Sequence, residues 1–170
     1  MSSAARLRVM GHVGATTLCC TPTYALRLAQ VARDEGIDAG ALGLKRIIVA
    51  GEPGGSIPTT RQQILESYPG ATVLDHHGMT EVGPVSFEDP AHPMSLRVMS
   101  DAFLVEVIDP TTLEPVGAGV EGELVLTTLK RLASPLLRYR TGDLVKQSRE
   151  DASLLEGGVL GRVDDMVVVR

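Results

Sequence analysis

The stretch VLDHHGMTEVGP, residues 73–84, contains side chains for two different kinds of chemistry. Asp75, His76 and His77 are residue types that bind transition metals. The residues that follow, Gly78 to Gly83, are typical of a tight turn whose backbone can come close to a phosphate. The same stretch is therefore either part of a metal centre or one wall of a nucleotide site.

The metal interpretation needs more ligands than the sequence supplies. Adjacent Asp-His-His resembles the signature of DHH-type metallophosphoesterases, whose two-metal centre requires several further Asp or His side chains. The only other histidines are His12 and His92, and no Asp-x-Asp pair follows an earlier predicted strand. In a strand, His76 and His77 would also point to opposite faces. The metallophosphoesterase remains an alternative to the nucleotide interpretation.

The nucleotide interpretation uses each residue of the stretch. The ring of His77 could stack on a purine, and Gly78 would let the backbone come close to the ligand. The Thr80 hydroxyl could bond a phosphate, and the Glu81 carboxylate could hold Mg²⁺ against it. These residues form a coherent set, and the sequence favours a nucleotide site.

The first half of the chain predicts parallel βαβ units that position this stretch. Thr21 as N-cap, Pro22 at the first helical position and Gly36 at the end predict a helix over residues 22–35. A second helix is predicted over residues 59–67, with Ile64 and Leu65 facing inward. Because strands alternate with these helices, they should pair in parallel. The predicted strands are residues 15–20, 45–50 and 71–74, with the DHHG stretch as the loop after the last of them.

The second half predicts an antiparallel lobe, barrel-like or a meander. Short alternating segments are separated by turn signals such as Asp109-Pro110, Gly117-Ala118-Gly119 and Gly157-Gly158. The predicted organisation is an α/β lobe over residues 1–84, a β-rich lobe over residues 85–163, and a short segment from residue 164. The predicted strands of the second half are residues 96–99, 104–108, 122–128, 136–139, 144–147 and 167–169.

Two loops follow the carboxyl ends of predicted parallel strands, where ligands bind in open α/β sheets. One contains Gly51, Glu52 and Pro53, in which Gly54-Gly55 would keep the backbone open for a ligand; the other is the DHHG stretch. A third candidate is Asp143, which could accept hydrogen bonds from vicinal hydroxyls. Arg138 and Arg140 beside it are suited to phosphate.

Composition narrows the classes of partner. With 16 Lys+Arg against 21 Asp+Glu the formal net charge is −5, and no basic run suggests a nucleic-acid surface. No apolar stretch has the length of a membrane-spanning helix, and we expect a cytoplasmic protein without membrane or nucleic-acid partners. The two cysteines, Cys19 and Cys20, are adjacent, which favours buried free thiols.

Taken in order and spacing, several motifs resemble the adenylate-forming superfamily, the acyl-CoA synthetases, and within it the phenylacetate-CoA ligase branch. Each motif is weak alone, but together they extend from Thr21 to the end of the chain. The matching segments are TPTYAL at 21–26, GEP at 51–53, DHHGMTEVGP at 75–84, VIDP at 107–110, GELV at 122–125, RYRTGDL at 138–144 and GRVDD at 161–165.

The resemblance implies a role for each matching position. Thr80 would contact the α-phosphate, Glu81 would bind Mg²⁺ and Asp143 would bind the ribose hydroxyls. Arg162 would reach the ribose or a phosphate, and Asp164 would lie at the hinge before a mobile C-terminal domain. His77 stands where family members usually carry Tyr, so adenine recognition would be altered. The two walls of the adenine pocket would be formed by Gly51, Glu52 and Pro53 on one side and Asp75, His76, His77, Gly78 and Met79 on the other.

The resemblance also implies the reaction and its partners. A small carboxylic acid, an aryl acid in this branch, would attack the α-phosphate of ATP to give an acyl-AMP and pyrophosphate, and CoA would then accept the acyl group. The Ser/Thr/Gly-rich loop around the ATP phosphates and the lysine-bearing C-terminal domain are not found. We therefore expect an internal fragment of the large N-terminal domain, inactive alone, that self-associates, in the simplest case as a homodimer. The alternative is a non-catalytic nucleotide-binding or interaction module.

Two further positions have open interpretations. His92, with Glu88 and Asp89, either holds zinc or lies in a solvated loop. Val85 and Phe87 either line an acyl or aryl pocket or only pack the junction between the lobes.

Overall fold

A computed structural model describes residues 1–165 of the chain. The chain divides into two compact units, Met1–His76 and His77–Arg170, and the division falls within one strand. The strand predicted over residues 167–169 lies outside the described residues. Among the described residues, no helix is both long and apolar enough to cross a membrane.

The first unit is built from three helices and a parallel sheet. The helices are α1 (Ser3–Val13), α2 (Pro22–Asp34) and α3 (Pro58–Ser67), with a short 3₁₀ helix at Gly40–Leu42. Thr21 caps α2 as predicted, because its hydroxyl accepts a hydrogen bond from the Tyr24 N–H. The strands are β1 (Thr17–Cys20), β2 (Arg46–Val49) and β3 (Thr72–Met79).

Parallel pairing of these strands confirms the predicted α/β class. Cys20 is in register with Val49, and Val49 with Asp75, so the carboxyl ends of β1 and β2 align with Asp75 in β3. The core between sheet and helices contains Leu28, Ile47, Ile64 and Val73, all nearly inaccessible to solvent.

One expectation for the first unit was wrong, and one helix was not predicted. The cysteines are not both buried: β1 is an edge strand, and its alternation turns Cys19 outward, whereas Cys20 is half-buried. Helix α1 was missed, although Ser2 caps its first turn and Gly14 ends it in the left-handed conformation. It escaped notice because its apolar residues do not follow a clear helical period; Leu7 alone is fully buried.

The DHHG stretch is not a loop after β3 but its second half. Extended backbone continues through Met79, and the chain turns only at Thr80, Glu81 and Val82. Gly78 permits this geometry, since a Cβ there would lie 2.8 Å from the Gly83 carbonyl oxygen. The close approach that needs glycine is thus to the chain's own backbone.

The second unit is antiparallel, as predicted. The strands β4 (Gly83–Asp89), β5 (His92–Val98) and β9 (Leu154–Leu155) pair with one another, and β6 (Phe103–Ile108), β7 (Glu121–Thr128), β8 (Tyr139–Lys146) and β10 (Gly161–Arg162) form a four-stranded sheet. A short 3₁₀ helix follows at Val163–Asp165. Both groups of strands contribute to one core, which includes Val85, Leu96, Leu124, Leu126 and Val145.

The strand predictions for the second unit were partly wrong. Residues 136–138 are irregular, and the two strands predicted over 136–139 and 144–147 are replaced by the single strand β8. Strand β4 was missed because its burial does not alternate regularly: Val85 and Ser86 are both buried.

Candidate functional site

In the first unit, the loop that follows β2 is fixed by Glu52. Its carboxylate accepts a hydrogen bond from the Thr23 N–H at 2.7 Å and another from the Thr23 hydroxyl. Thr23 lies in the first turn of α2, where free N–H groups and the helix dipole favour an anion. These bonds hold the pKa of Glu52 below its usual value, and the bond from the Thr23 hydroxyl has the largest effect. The carboxylate therefore ties the loop to the helix.

The sequence had suggested that Gly54 and Gly55 keep this loop open for a ligand. Instead, both glycines let the loop pack closely against protein atoms. A Cβ at Gly54 would lie 2.6 Å from the Pro22 side chain, and one at Gly55 would lie 2.5 Å from the Asp75 carboxyl carbon. Both glycines are buried. They allow the loop, α2 and β3 to approach one another closely.

Asp75 is held within the first unit. The Ser56 hydroxyl donates to Asp75 Oδ2 at 2.6 Å, and the His76 N–H donates to Oδ1 at 2.9 Å. The Arg61 guanidinium donates to the carbonyls of Gly55 and Val73 and so joins the same loop to β3. Asp75 therefore links β3 to the loop that contains Gly51, Glu52 and Pro53.

In the second unit, three residues predicted to belong to one site meet: His77 and Asp143 are buried, and Arg162 is exposed. His77 Nε2 lies 3.0 Å from Asp143 Oδ2, and Arg162 Nη1 donates to Asp143 Oδ1 at 3.0 Å. The side chains of His77 and Asp143 are each about one-tenth exposed. Antiparallel pairing sets this arrangement, because Arg162 in β10 is in register with Asp143 in β8.

The electrostatics of the cluster keep Asp143 ionised. Burial raises the pKa of Asp143, but the hydrogen bonds and charges of His77 and then Arg162 outweigh it and bring the pKa below its ordinary value. An ionised carboxylate only accepts hydrogen bonds, so the ring N–H at His77 Nε2 donates to it. The other ring nitrogen, Nδ1, lies 3.4 Å from the Ser86 hydroxyl oxygen.

Arg162 also shapes the turn before Asp143. Its Nη1 donates to the Thr141 carbonyl at 3.0 Å, and its guanidinium covers Gly142, which has a φ of +75°. A Cβ at Gly142 would lie 2.8 Å from Arg162 Nη2. Asp164 is exposed, and its carboxylate lies 3.5 Å from the same Nη2.

Thr80 and Glu81 lie together in the exposed turn after β3. The Glu81 carbonyl accepts a hydrogen bond from the Arg131 guanidinium. Within residues 1–165, the Glu81 carboxylate has neither an ion pair nor a hydrogen bond. A carboxylate on a turn, with substrate phosphates as the other ligands, is the donor set that Mg²⁺ usually takes in nucleotide sites. Met79, just before the turn, packs partly into the core of the second unit.

Several other candidate residues have structural partners. Arg140 pairs with the buried Glu123, which also accepts from the Gly142 N–H, and Arg138 pairs with Glu106. Both arginines therefore have carboxylate partners within the second unit. Val85 is buried in the core of the second unit, and Phe87 is exposed.

The region around His92 is an ion-pair network. Asp89 accepts from His92 Nδ1 at 3.1 Å and from Arg97, whose guanidinium also reaches Asp151. Hydrogen bonds from Ala91 N–H, Arg97 and His92 lower the pKa of Asp89 to about 2. Over residues 1–165, no group of three or more His, Cys, Asp or Glu side chains is arranged to hold a metal ion, which disfavours both the metallophosphoesterase alternative and zinc at His92.

Sequence reasoning missed the residues that support these side chains. Ser56, Ser86, Arg61 and Arg131 carry no local motif, and their partners are distant in sequence. Glu123 had a weak signal, because it lies in the GELV motif.

The sequence profile of AMP-binding enzymes matches residues 1–129, which is most of the chain. The chain belongs to the AMP-binding enzyme family. Its resemblance to the phenylacetate-CoA ligase branch is also confirmed. This AMP-binding chain is 38% identical over 160 residues to a phenylacetate-coenzyme A ligase of Thermus thermophilus, covering 90% of the chain and 35% of that protein. It is 34% identical over 155 residues to the Escherichia coli K12 phenylacetate-coenzyme A ligase, covering 88% and 35%.

Solved structures agree with the family assignment. A 2-hydroxyisobutyryl-CoA ligase in the postadenylation state, in complex with R3-HIB-AMP, matches the AMP-binding chain with a TM-score of 0.89 at 32% identity. The match covers 99% of this chain and 37% of that one. The chain thus spans about a third of the length of the relatives it matches.

The hydrogen bonds from Thr23 to the Glu52 carboxylate should contribute to stability in a pH-dependent way. Glu52→Gln should lower the free energy of unfolding at pH 7 by about 0.5–1 kcal/mol, because a neutral amide stabilises the N-terminus of α2 less than a carboxylate does. Since folding lowers the Glu52 pKa, this contribution is present above the unfolded-state pKa and is lost as the pH falls through the folded-state pKa. Urea unfolding at pH 7 and pH 4 would measure it.

Glu121→Gln is the matched control for this prediction, since Glu121 is exposed. It should leave stability unchanged at both pH values. A Glu52→Gln variant as stable as the wild type at pH 7 would contradict the assigned link.

Proposed function

We propose that this chain carries the adenylate site of an AMP-forming carboxylic acid–thiol ligase of the phenylacetate-CoA ligase type. The observation that carries the proposal is the cluster in which the buried His77 and Asp143 meet the exposed Arg162. These residues are 66 and 19 positions apart in sequence, yet two hydrogen bonds join them around one ionised carboxylate. A buried carboxylate held ionised by such partners, at motif positions of an AMP-binding enzyme, is typical of a ligand site.

Asp143 is assigned to the ribose of the nucleotide. A carboxylate that stays ionised accepts hydrogen bonds from vicinal hydroxyls, and each of its oxygens has capacity beyond the bonds from His77 and Arg162. Arg162 would orient this carboxylate and reach the ribose or a phosphate. We assign the adenine pocket to Gly51, Glu52, Pro53, Asp75, His76, His77, Gly78 and Met79, with Glu52 and Asp75 acting through the loop that they hold.

Thr80 and Glu81 are assigned to the phosphates. The Thr80 hydroxyl would donate to an α-phosphate oxygen, and the unpaired Glu81 carboxylate would hold Mg²⁺. Bound Mg²⁺ would neutralise part of the negative charge on the phosphate oxygens. The exposed turn leaves both side chains accessible to a nucleotide.

The reaction proposed is attack of a carboxylate on the α-phosphate of ATP, followed by transfer of the acyl group to CoA. Solved structures of a 2-hydroxyisobutyryl-CoA ligase in complex with an acyl-AMP, in two cases together with CoA, support acyl-AMP as the species that meets CoA. We assign residues 1–84 to adenine binding, residues 85–163 to the β-rich lobe and Asp164 to the hinge. The supply of ATP and CoA places such an enzyme in the cytoplasm.

Calorimetric titration of AMP and ATP, with and without Mg²⁺, tests these assignments. Glu81→Gln should bind AMP within about twofold of the wild type but lose the gain in ATP affinity that Mg²⁺ brings, because it removes a metal ligand only. Thr80→Ala should weaken both nucleotides by roughly fivefold, the usual effect of one lost hydrogen bond.

Thr59→Ala, an exposed threonine in α3, is the control and should bind both nucleotides as the wild type does. If the wild type bound unrelated nucleotides equally well, or bound none, the ligase assignment would fail. The chain would then be better described as a non-catalytic module that has kept the scaffold.

A further inference from the structure

The ring of His77 could act on a nucleotide through its flat face or through the nitrogen atoms at its edge. In the structure the edge is engaged: Nε2 lies 3.0 Å from Asp143 Oδ2, and Nδ1 lies 3.4 Å from the Ser86 hydroxyl oxygen. The side chain of His77 is only about one-tenth exposed. Because stacking on a base requires an accessible ring face, this geometry favours a role for the edge.

The orientation of the ring is fixed by buried partners on two strands. Ser86 on β4 is fully buried, and Asp143 on β8 is more than nine-tenths buried. Side chains at such positions are closely packed and stay in one rotamer on average. Rotation of the ring would also separate both nitrogens from their partners. His77 therefore presents Nε2 to the Asp143 carboxylate in one orientation.

The Asp143 carboxylate depends on its donors for its own orientation. The terminal torsion of an aspartate side chain is broad, so an isolated carboxylate can rotate. Here His77 approaches Oδ2 and Arg162 approaches Oδ1, each at 3.0 Å. Each oxygen keeps a further lone pair, because a carboxylate oxygen accepts two hydrogen bonds. Two hydroxyl groups on adjacent carbons thus meet an acceptor that is already oriented, which lowers the entropy cost of binding them.

His77 places the carboxylate more rigidly than Arg162 does. The Arg162 side chain is 43% exposed, and its Nη1 is shared between Asp143 and the Thr141 carbonyl. A long, partly exposed side chain keeps more rotamer freedom than a buried imidazole. The hydrogen bond from His77 should therefore contribute the larger share of the fixed orientation.

We propose that His77 is a positioning residue that sets the preference of the site for ribonucleotides over deoxyribonucleotides. Its Nε2–H holds Asp143 Oδ2, so that the carboxylate accepts hydrogen bonds from both vicinal hydroxyls of the ribose. The inference rests on the proposed function and refines it: within the pocket assigned above, His77 acts on the sugar through Asp143 and does not stack on the base.

Calorimetric titration of AMP and 2′,3′-dideoxy-AMP into the 170-residue chain tests the proposal. The wild type should bind AMP at least about tenfold more tightly, because the dideoxy compound lacks both hydroxyl donors to the carboxylate. His77→Phe keeps an aromatic ring but removes the donor, and it should reduce this ratio to about threefold or less. Its affinity for the dideoxy compound should stay within about twofold of the wild-type value, since no hydroxyl contact is lost there.

His77→Gln is the rescue variant, because its amide can donate to Asp143 although it has no aromatic face. It should retain a ratio of roughly fivefold or more. A smaller folded fraction weakens both apparent affinities alike and leaves their ratio unchanged. The ratio therefore separates positioning of the carboxylate from a general loss of stability. His12→Phe is the matched control, since His12 is exposed in α1, and it should leave both affinities unchanged.

The outcomes distinguish this inference from the proposed function. A wild-type ratio in His77→Phe, with weaker binding of both ligands by His77→Gln, would identify stacking and overturn the inference while the adenylate site stands. Equal loss of the ratio in both variants would also overturn it, because the hydrogen bond from Nε2 would not be the cause. A wild type that binds neither ligand would refute the adenylate site itself, and one that binds both equally would refute the assignment of Asp143 to the ribose; either result removes the inference as well.

Discussion

Asp143→Asn should weaken AMP binding by at least about tenfold, the usual effect of removing a charged acceptor from a hydrogen bond. The substitution keeps the shape of the side chain but removes the charge that His77 and Arg162 both approach at 3.0 Å. It also leaves a buried imidazole and a guanidinium without their carboxylate. Stability should therefore fall by about 1–3 kcal/mol, the cost of unsatisfied polar groups at a buried position. Calorimetry and urea unfolding would measure the two effects.

The size of this effect depends on the cluster rather than on net charge. Asp34→Asn makes the same chemical change at an exposed position of α2 and should alter neither AMP affinity nor stability measurably. A folded Asp143→Asn variant with wild-type affinity for AMP would remove Asp143 from the nucleotide site. Arg162→Ala offers an independent test, because it removes the Nη1 that donates to both Asp143 and the Thr141 carbonyl.

Gly55→Ala should be the most disruptive single-methyl change in the first unit. The added Cβ would lie 2.5 Å from the Asp75 carboxyl carbon and 2.6 Å from Val49 Cγ2, and both neighbours are buried. Neither can move freely, because Val49 belongs to the core and Asp75 is bonded to Ser56. Overpacking of this kind costs about 1–3 kcal/mol, which would appear as a lower urea midpoint. AMP binding should weaken as well if the loop at Glu52 lines the nucleotide site.

Gly117→Ala is the matched control for the steric argument. A Cβ at Gly117 would have no atom within 4 Å, and its φ is not positive. The free energy of unfolding of the Gly117→Ala variant should stay within about 0.5 kcal/mol of the wild-type value, as for ordinary surface substitutions. Equal stability of the Gly55→Ala and Gly117→Ala variants would show that the loop is not packed as closely as described.

Elements with strong local signals could be predicted from the sequence. Helix α2 has Thr21, Pro22 and Gly36 at its ends, and it forms within one residue of the predicted bounds. The alternation of strands and helices also predicted the parallel first half. The succession of short strands separated by turns predicted the antiparallel second half. By contrast, β3 was predicted to end at Leu74, because His77-Gly78-Met79-Thr80 has the composition of a turn. The strand continues because Gly78 packs against the Gly83–Pro84 backbone, a contact that composition does not reveal.

The two arginines near Asp143 illustrate a second limit of prediction from sequence. Arg138 and Arg140 flank a candidate ribose ligand in sequence, and proximity alone suggested a phosphate site. In the folded chain they pair with Glu106 and Glu123, which lie on the neighbouring strands β6 and β7. Which cation remains available to a ligand depends on strand register, and register depends on the packing of a whole face.

The sequence by itself determined the family, the class of fold and the residue types that chemistry at this site requires. Local capping, hydrophobic period and ordered motifs are short-range properties, and a single sequence contains them in full. Only the tertiary structure decided the partner of each polar group: Glu52 with Thr23, Asp75 with Ser56, and Asp143 with His77 and Arg162. The physical reason is that a hydrogen bond requires about 3 Å between atoms, and for residues 19 to 66 positions apart only the folded backbone sets that distance.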